Sequence, residues 1–398
     1  MKRLLWIGSY LTEDILKEIS YKNAAAYLSQ KNIHDGIEEI TGQVFDSIGA
    51  VVLSDFQVRR FCRREFRHTA SARDVLVGFW NIRYICKLSS RIHMVHEARA
   101  WLKNIDQQDE VEIYIYEMRS CCLAAAMAIK KRHANTKIHL IVPDLPAFMD
   151  LGMSPLKRFL KKIDWLDIQN KLYYVDDYIL YAAPMAQYLG ILDKQWMVME
   201  GSINREDIHP HTQTERAATE EKCVVMYSGS VHYSFGLENL LKAFQHLDDR
   251  FELWITGSGT AKELVQEAAK QDKRIRYYGF LPTRADLLDL QSRATVMINM
   301  RKPDEPASNY CFPSKLFEYM LLGKPVLSCR LGGIPEEYSP YLVEMKSLKP
   351  EDVAEAIRGI SMMSRQRREE MGSAARAFIL REKTNIVQAK RILEFVNS

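Results

Sequence analysis

The chain has 398 residues, 47% hydrophobic and 27% charged, with a formal net charge of +4. That length exceeds one ordinary core, so two domains are expected, and the slight charge argues against wholesale nucleic-acid binding. Seven cysteines without a C-x-x-C spacing point to reduced thiols and a cytoplasmic protein.

The first expected strand is Leu4–Ile7. Its apolar part is too short for a leader, and Gly8-Ser9 ends it as a strand-to-loop junction. Further buried strands are expected at Ala50–Leu53, Asp74–Phe79, Glu112–Tyr116, Ile138–Val142, Tyr178–Tyr181 and Met197–Met199. Stretches of helical composition, such as Arg83–Leu102 and Leu123–Arg132, lie between them. Alternating strands and helices predict an α/β fold whose parallel sheet is covered on both faces. No apolar run reaches the roughly 18 residues of a membrane span.

Two basic stretches interleave cations with apolar residues. One has Leu156, Phe159, Leu160 and Ile163 among Lys157, Arg158, Lys161 and Lys162; the other has five arginines over 59–67 with Phe61 and Phe66. Each either lies on an anionic bilayer or packs on its own domain with a solvated charged face.

Residues 201–222 are polar and read as an interdomain linker. His209 and His211 within it have no carboxylate or thiol at ligand spacing, so no metal is expected. The pattern restarts with strands at Val224–Tyr227, Phe251–Thr256, Arg276–Tyr278, Thr295–Ile298 and Val326–Cys329. Ligands in such sheets bind beyond the carboxyl ends of strands. There lie Gly229-Ser230, Gly257, Gly279-Phe280, Arg301 and the segment from Asn309 to Val326.

That segment reads as loop, short helix and strand. Pro313 suits a first helical position, and Gly323 a position just past the helix end. Amides of Ser314, Lys315 and Leu316 at the helix start, with the Lys315 ammonium, make an anion site. Glu318 shares a face with Ser314 and Lys315 and is placed to grip sugar hydroxyls behind a phosphate. Phosphate plus sugar means a nucleotide-type ligand.

The order Gly-Leu-x-x-Leu, Ile-Thr-Gly-Ser-Gly, Tyr-Gly-Phe, Pro-Ser-Lys-Leu-Phe-Glu-Tyr-Met-x-x-Gly-Lys-Pro-Val and Gly-Gly-Ile-Pro-Glu-Glu resembles the group 1, glycogen-synthase-like retaining glycosyltransferases of the GT-B fold. The likeness is specific over 223–360 and looser before it, where it resembles bacterial members that build surface polysaccharides. It implies two Rossmann-like domains with parallel sheets facing a central cleft. The acceptor domain would span 1–200 and the donor domain 223–375, with a helix at about 376–398 packing back on the first.

In the family the glutamate matching Glu318 contacts the donor ribose. The amides of Ser314 to Leu316 would bind the diphosphate, Phe280 would lie near the base, and Gly229-Ser230 would approach the phosphates. Arg301 is expected to add positive charge. Gly8, Ser9, Glu117 and Asp144 are the acceptor-side candidates, although Glu117 also reads as a helix-start carboxylate and Asp144 as a turn residue. The sequence departs from the family at Tyr310, where many members carry a glutamate that contacts the donor sugar.

The reaction expected is retaining transfer of a sugar from a nucleotide-diphosphate donor to a glycan or lipid-linked acceptor. No Asp-x-Asp occurs in the chain, which fits a metal-independent site with no cofactor. No protein nucleophile is assigned, because in the family the leaving phosphate helps deprotonate the acceptor. The alternatives are a nucleotide-sugar epimerase of the same fold and a catalytically silent subunit that binds a partner transferase. No Gly-x-Gly-x-x-Gly follows the first strand, which argues against a dinucleotide oxidoreductase.

Overall fold

The computed structural model describes residues 1–18, 24–51, 59–82, 85–146, 155–204 and 222–398. The chain divides into two units, Met1–Ser202 with Asn385–Ser398, and Ile203–Thr384.

Unit 1 begins with β1 (Lys2–Gly8), α1 (Glu13–Glu18), α2 (Ala24–Thr41) and β2 (Phe45–Gly49). Four short strands follow: β3 (Arg60–Phe61), β4 (Arg64–Phe66), β5 (Asp74–Leu76) and β6 (Phe79–Trp80). Then come α3 (Cys86–Leu102), β7 (Glu110–Tyr116), α4 (Ser120–Lys130) and β8 (Thr136–Val142). The unit continues with α5 (Pro155–Leu172), β9 (Asp177–Leu180), α6 (Pro184–Leu189) and β10 (Gln195–Val198).

Its main sheet has eight strands in the order β10-β9-β8-β7-β1-β2-β5-β4. All neighbours are parallel except β4 and β5. The last five residues of β1 are fully buried, as expected for a strand covered on both faces. Chain order reverses around β1, which lies between β2 and β7. Loops leaving the carboxyl ends of these strands are where such sheets bind ligands.

The second strand departs from the sequence-based expectation. It is Phe45–Gly49, not Ala50–Leu53. Ala50 and Val51 form the loop after it, and Leu53 lies outside the described residues. Asp46 and Ser47 hide the strand in the sequence because both are polar. Buried partners satisfy them: Trp101 Nε1 donates to Asp46 at 2.7 Å and Ser47 Oγ to Asp74 at 2.7 Å. The basic stretch 59–67 forms the short strands β3 and β4, with Phe61 stacked on Phe79 in a small core.

Unit 2 contains β11 (Cys223–Ser228), α7 (Leu237–Ala243), β12 (Phe251–Thr256), α8 (Lys262–Gln271) and β13 (Ile275–Gly279). It continues through α9 (Arg284–Ser292), β14 (Val296–Asn299), α10 (Lys315–Leu321), β15 (Val326–Cys329) and β16 (Val343–Met345). It ends with α11 (Pro350–Met362) and α12 (Arg365–Glu382). Six parallel strands run in the order β13-β12-β11-β14-β15-β16, the Rossmann order with its switch point between the first and fourth strands.

Alternate residues of these strands enter two separate cores. Val225, Leu253, Ile255, Val296 and Ile298 pack with α7 and α11 on one face. Val224, Met226, Trp254 and Met297 pack with α9, α10 and α12 on the other. The period of two separates the two sets, and Glu252, buried on the Trp254 face, accepts from Trp254 Nε1 at 3.0 Å.

Residues 376–382 complete α12 in unit 2, and α13 (Asn385–Val396) returns to unit 1. There α13 packs on α2, with Gly36 so close that a Cβ would lie 2.8 Å from the Asn385 carbonyl. The expected linker lies mostly in 205–221, outside the described residues, and so do His209 and His211.

Candidate active site

In unit 2 the loops after β11 and β12 meet at two glycines. Gly257 has a φ of 130°, and a Cβ on it would lie 1.7 Å from the Gly229 carbonyl oxygen. Only glycine permits that approach. Gly229 N–H donates to Thr256 at 3.0 Å and Gly257 N–H to Gly279 at 2.8 Å. Three successive strand ends are thereby stitched together.

Helix α10 is tied to the same place. The Tyr319 hydroxyl accepts the Ser228 N–H at 3.0 Å and donates to the Ser228 carbonyl at 2.6 Å. The aliphatic part of Lys315 covers Gly229, where a Cβ would lie 2.9 Å from Lys315 Cε. Glu318, half-buried, has Oε2 3.9 Å from Lys315 Nζ, while its Oε1 accepts from Gln291 Nε2. Gln291 also donates to Ser228 Oγ at 3.2 Å. Gly229, Lys315 and Glu318 are thus brought together.

Ser314 is exposed before the helix, but one expected feature is absent. The Leu316 N–H donates to the Pro313 carbonyl at 2.8 Å, and the residue is fully buried. Its amide is consumed by the tight first turn and is not offered outward. Gly323 closes the helix at a φ of 66° as its sequence position predicts. Arg301 donates to the Cys311 carbonyl at 3.2 Å and so braces the loop before α10. Tyr310 lies in that loop, half-buried. Ser230 is exposed, and its carbonyl accepts from Tyr227 at 2.7 Å. Phe280 follows β13 and is 74% exposed.

In unit 1 the acceptor-side candidates share one sheet edge. Gly8 packs where a Cβ would lie 2.5 Å from Gln30 Oε1. The same oxygen accepts the Ser9 N–H at 2.8 Å. Arg119 donates to Ser9 Oγ at 3.3 Å and to the Ala50 carbonyl at 2.7 Å, bridging the ends of β1, β2 and β7. Glu117 follows β7 at a φ of 72°, a left-handed conformation that costs a non-glycine residue about 1–3 kcal/mol. Burial pushes its carboxyl above the ordinary range; Arg119 opposes this and Asp144 adds to it. Glu117 and Asp144 therefore sense each other's charge.

Gln291, Tyr319, Arg119 and Gln30 were not singled out by sequence reasoning. A glutamine among the leucines of α9 was the only signal for Gln291. Nothing in sequence marks Tyr319 for this role over Phe317, the other aromatic of its helix.

Residues 222–361 match the family model described as glycosyl transferases group 1. Unit 2 is a group 1 glycosyltransferase domain. The chain also matches solved structures along its length. One is the apo form of the lipopolysaccharide outer core galactosyltransferase WaaB, at 12% identity and a TM-score of 0.66, covering 100% of this chain and 99% of that one. Another is Anabaena HepE in complex with UDP, at 14% identity and a TM-score of 0.65, covering 99% of each. A third is a trehalose-6-phosphate synthase studied for glycosyl transfer with retention, at 11% identity and a TM-score of 0.66, covering 100% and 99%. These likenesses show the GT-B fold. No curated protein matches the sequence significantly.

Unit 1 also carries an exposed apolar surface. Ile85, Leu88 and Ile92 on and just before α3 are 45%, 60% and 58% exposed. Phe159, Leu160, Ile163 and Leu166 on α5 are 61%, 38%, 48% and 52% exposed. Ion pairs Lys87–Asp164 at 2.8 Å and Arg91–Asp167 at 3.1 Å join the two helices. Among the described residues no helix is long and apolar enough to cross a membrane.

Proposed function

We propose that the chain is a retaining glycosyltransferase that moves a sugar from a nucleotide-diphosphate donor to a glycan or lipid-linked acceptor in bacterial surface polysaccharide synthesis. The reading rests above all on one observation. Lys315 and Glu318 are both held against the Ser228-Gly229 turn by the contacts of Tyr319 and Gln291. A cation, a half-buried carboxylate and a glycine turn at the switch point of a Rossmann sheet fit a nucleoside diphosphate.

In this reading Glu318 Oε2 accepts from the ribose hydroxyls, while Gln291 fixes the other oxygen. The Lys315 ammonium and the amides of Ser314 and Lys315 face the diphosphate, with Leu316 contributing packing only. Gly229 lets the backbone approach the phosphates, Ser230 and Gly257 shape the turn, and the exposed Phe280 ring offers a face to the base. Arg301 positions the loop before α10. Fixed positive charge stabilises the departing diphosphate as the glycosidic bond breaks, without a metal at this site. The departing phosphate takes the acceptor proton. Gly8, Ser9, Glu117 and Asp144 belong to the acceptor half-site.

The UDP of the HepE complex makes UDP-sugars the first donors to test. The likeness to WaaB, a lipopolysaccharide outer core galactosyltransferase, supports a glycan or lipid-linked acceptor here. The apolar surface of α3 and α5, flanked by Arg158, Lys161 and Lys162, supports peripheral contact with an anionic cytoplasmic leaflet. The thin, strand-built 59–67 segment supports it less, because Arg63 is committed to Glu97 at 2.6 Å.

A thermal-shift screen over nucleotide-sugars tests the reading. A melting point raised by one donor class, with product formed from it at retained anomeric configuration, is expected. Binding without turnover on any offered acceptor favours a silent subunit, and no shift with any nucleotide overturns the donor assignment.

A further inference from the structure

Helix α2 carries His34 and Glu38 one turn apart on one face, and His68 reaches them from the turn between β4 and β5. One ligand atom from each lies within 4.8 Å of the others. His68 Nε2 is 3.1 Å from Glu38 Oε1, and His34 Nε2 is 3.9 Å from the same oxygen.

A carboxylate holds each ring from behind. His34 Nδ1 is 3.0 Å from Asp35 Oδ1, and His68 Nδ1 is 2.8 Å from Asp74 Oδ2. With Nδ1 donating to its carboxylate, a neutral imidazole presents its lone pair on Nε2. Both Nε2 atoms face Glu38. Metal-bound histidines have this outer arrangement, in which the carboxylate fixes tautomer and orientation.

His34 makes the arrangement costly without a cation. It is fully buried, and its Nε2 has no hydrogen-bond partner among the described residues. A buried lone pair facing a carboxylate oxygen is uncompensated. The charge balance agrees. Asp35, Glu38 and Asp74 carry three negative charges and Lys31 pairs with Asp35. Tyr10, which also donates to Asp35 at 3.2 Å, adds no charge. With both rings neutral the cluster keeps two negative charges; with His68 holding both protons between Glu38 and Asp74 it keeps one.

We propose that His34, Glu38 and His68 bind a divalent transition-metal ion of the zinc type, with Asp35 and Asp74 orienting the two imidazoles. Two nitrogens and one oxygen suit zinc, whereas magnesium and calcium take mainly oxygen ligands. The site lies wholly in unit 1 and is independent of the transfer reading. Tyr10 stacks on the His34 ring at 3.9 Å, one residue after Ser9. The ion would thus clamp α2 to the β4–β5 turn beneath the loop that carries an acceptor-side candidate.

The competing arrangement has no metal: a protonated His68 bridges Glu38 and Asp74. The test uses the full chain without a histidine tag, stripped with a chelator and with the accessible cysteines Cys62, Cys86, Cys223 and Cys311 blocked. Zinc is titrated in competition with a chromophoric chelator. One equivalent per chain is expected, with a melting point that rises with free zinc. His68→Gln should lower the affinity by about 100-fold or more, and Asp74→Asn by about 10- to 100-fold. Absence of stoichiometric uptake by the wild type, or equal affinity in His68→Gln, overturns the site. Should the variants not fold, imidazole nitrogen NMR of the wild type decides. A zinc-dependent shift of both Nε2 resonances supports the site; a His68 ring that keeps both protons in excess zinc overturns it.

Discussion

Tyr319 closes both backbone groups of Ser228, accepting its N–H at 3.0 Å and donating to its carbonyl at 2.6 Å. Ser228 ends β11, beyond the reach of β14, whose pairing with β11 involves Val225 and Met226. Its backbone groups on that side need another partner, and a side chain from α10 supplies it. One hydroxyl thereby sets the distance between the glycine turn and the helix that carries Lys315 and Glu318.

Tyr319→Phe keeps the ring in its core but removes that hydroxyl. It leaves a buried N–H and a buried carbonyl unpaired, so unfolding free energy should fall by about 2 kcal/mol in denaturant titration. Donor affinity should fall as well, because the turn is no longer registered to the helix. Lost stability with unchanged donor affinity would restrict Tyr319 to the core.

Glu318→Ala separates binding from folding. The side chain is half-buried, so the melting point should shift little. Hydrogen bonds to a charged acceptor contribute about 1.5–3 kcal/mol, so calorimetry should show donor affinity about 10- to 150-fold lower. Full activity in this variant would remove Glu318 from the donor site.

Two glycines give opposite outcomes on substitution by alanine. Gly257→Ala forces a Cβ onto the Gly229 carbonyl. It should cost about 3 kcal/mol and abolish donor binding. Gly359 lies inside α11 with open space where a Cβ would go. Gly359→Ala should stabilise by about 0.5–1 kcal/mol and leave binding unchanged. Thermal melts with and without donor read both effects.

Much of this was legible in the sequence where burial and periodicity act locally. Strands such as those at Leu4–Ile7 and Val224–Tyr227 are unbroken apolar runs, and Pro313 and Gly323 bracket α10. Polar residues with buried long-range partners were illegible, as Asp46 and Ser47 show by hiding β2. Glu318 could be found from its spacing to Lys315, but Gln291 could not, because α9 and α10 meet only in the folded sheet. Leu316 was misassigned as an open donor because a 3₁₀-type first turn takes its amide. The left-handed Glu117 had no glycine to announce it.

Glu117 predicts a pH dependence. Burial raises its folded pKa above the ordinary 4.5, so the folded chain holds this proton more tightly than the unfolded one. Its contribution to stability is full below about 4.5 and is lost as pH rises through the folded value. Glu117→Gln removes that loss, so the variant should gain on the wild type between acid and neutral pH. Glu117→Gly should stabilise at every pH by relieving the backbone, by about 1–3 kcal/mol. Stability curves of the three chains against pH check both signs, and parallel curves for wild type and Glu117→Gln would show a carboxyl that is not desolvated.

The exposed faces of α3 and α5 predict membrane binding that needs both apolar area and charge. Leu88, Ile92, Phe159 and Ile163 recur at helical spacing on two helices cross-linked by ion pairs, so they can enter one interface together. Leu88→Glu with Ile163→Glu removes apolar area and adds charge that an anionic surface repels. Sedimentation with vesicles rich in anionic lipid should show affinity about 10-fold lower or worse for the pair. Melting point should be unchanged, because neither side chain is in a core. High salt should weaken the wild type toward its affinity for neutral vesicles, since screening removes only the charge component. Equal binding of wild type and variant to anionic vesicles would leave the two stripes without a membrane role.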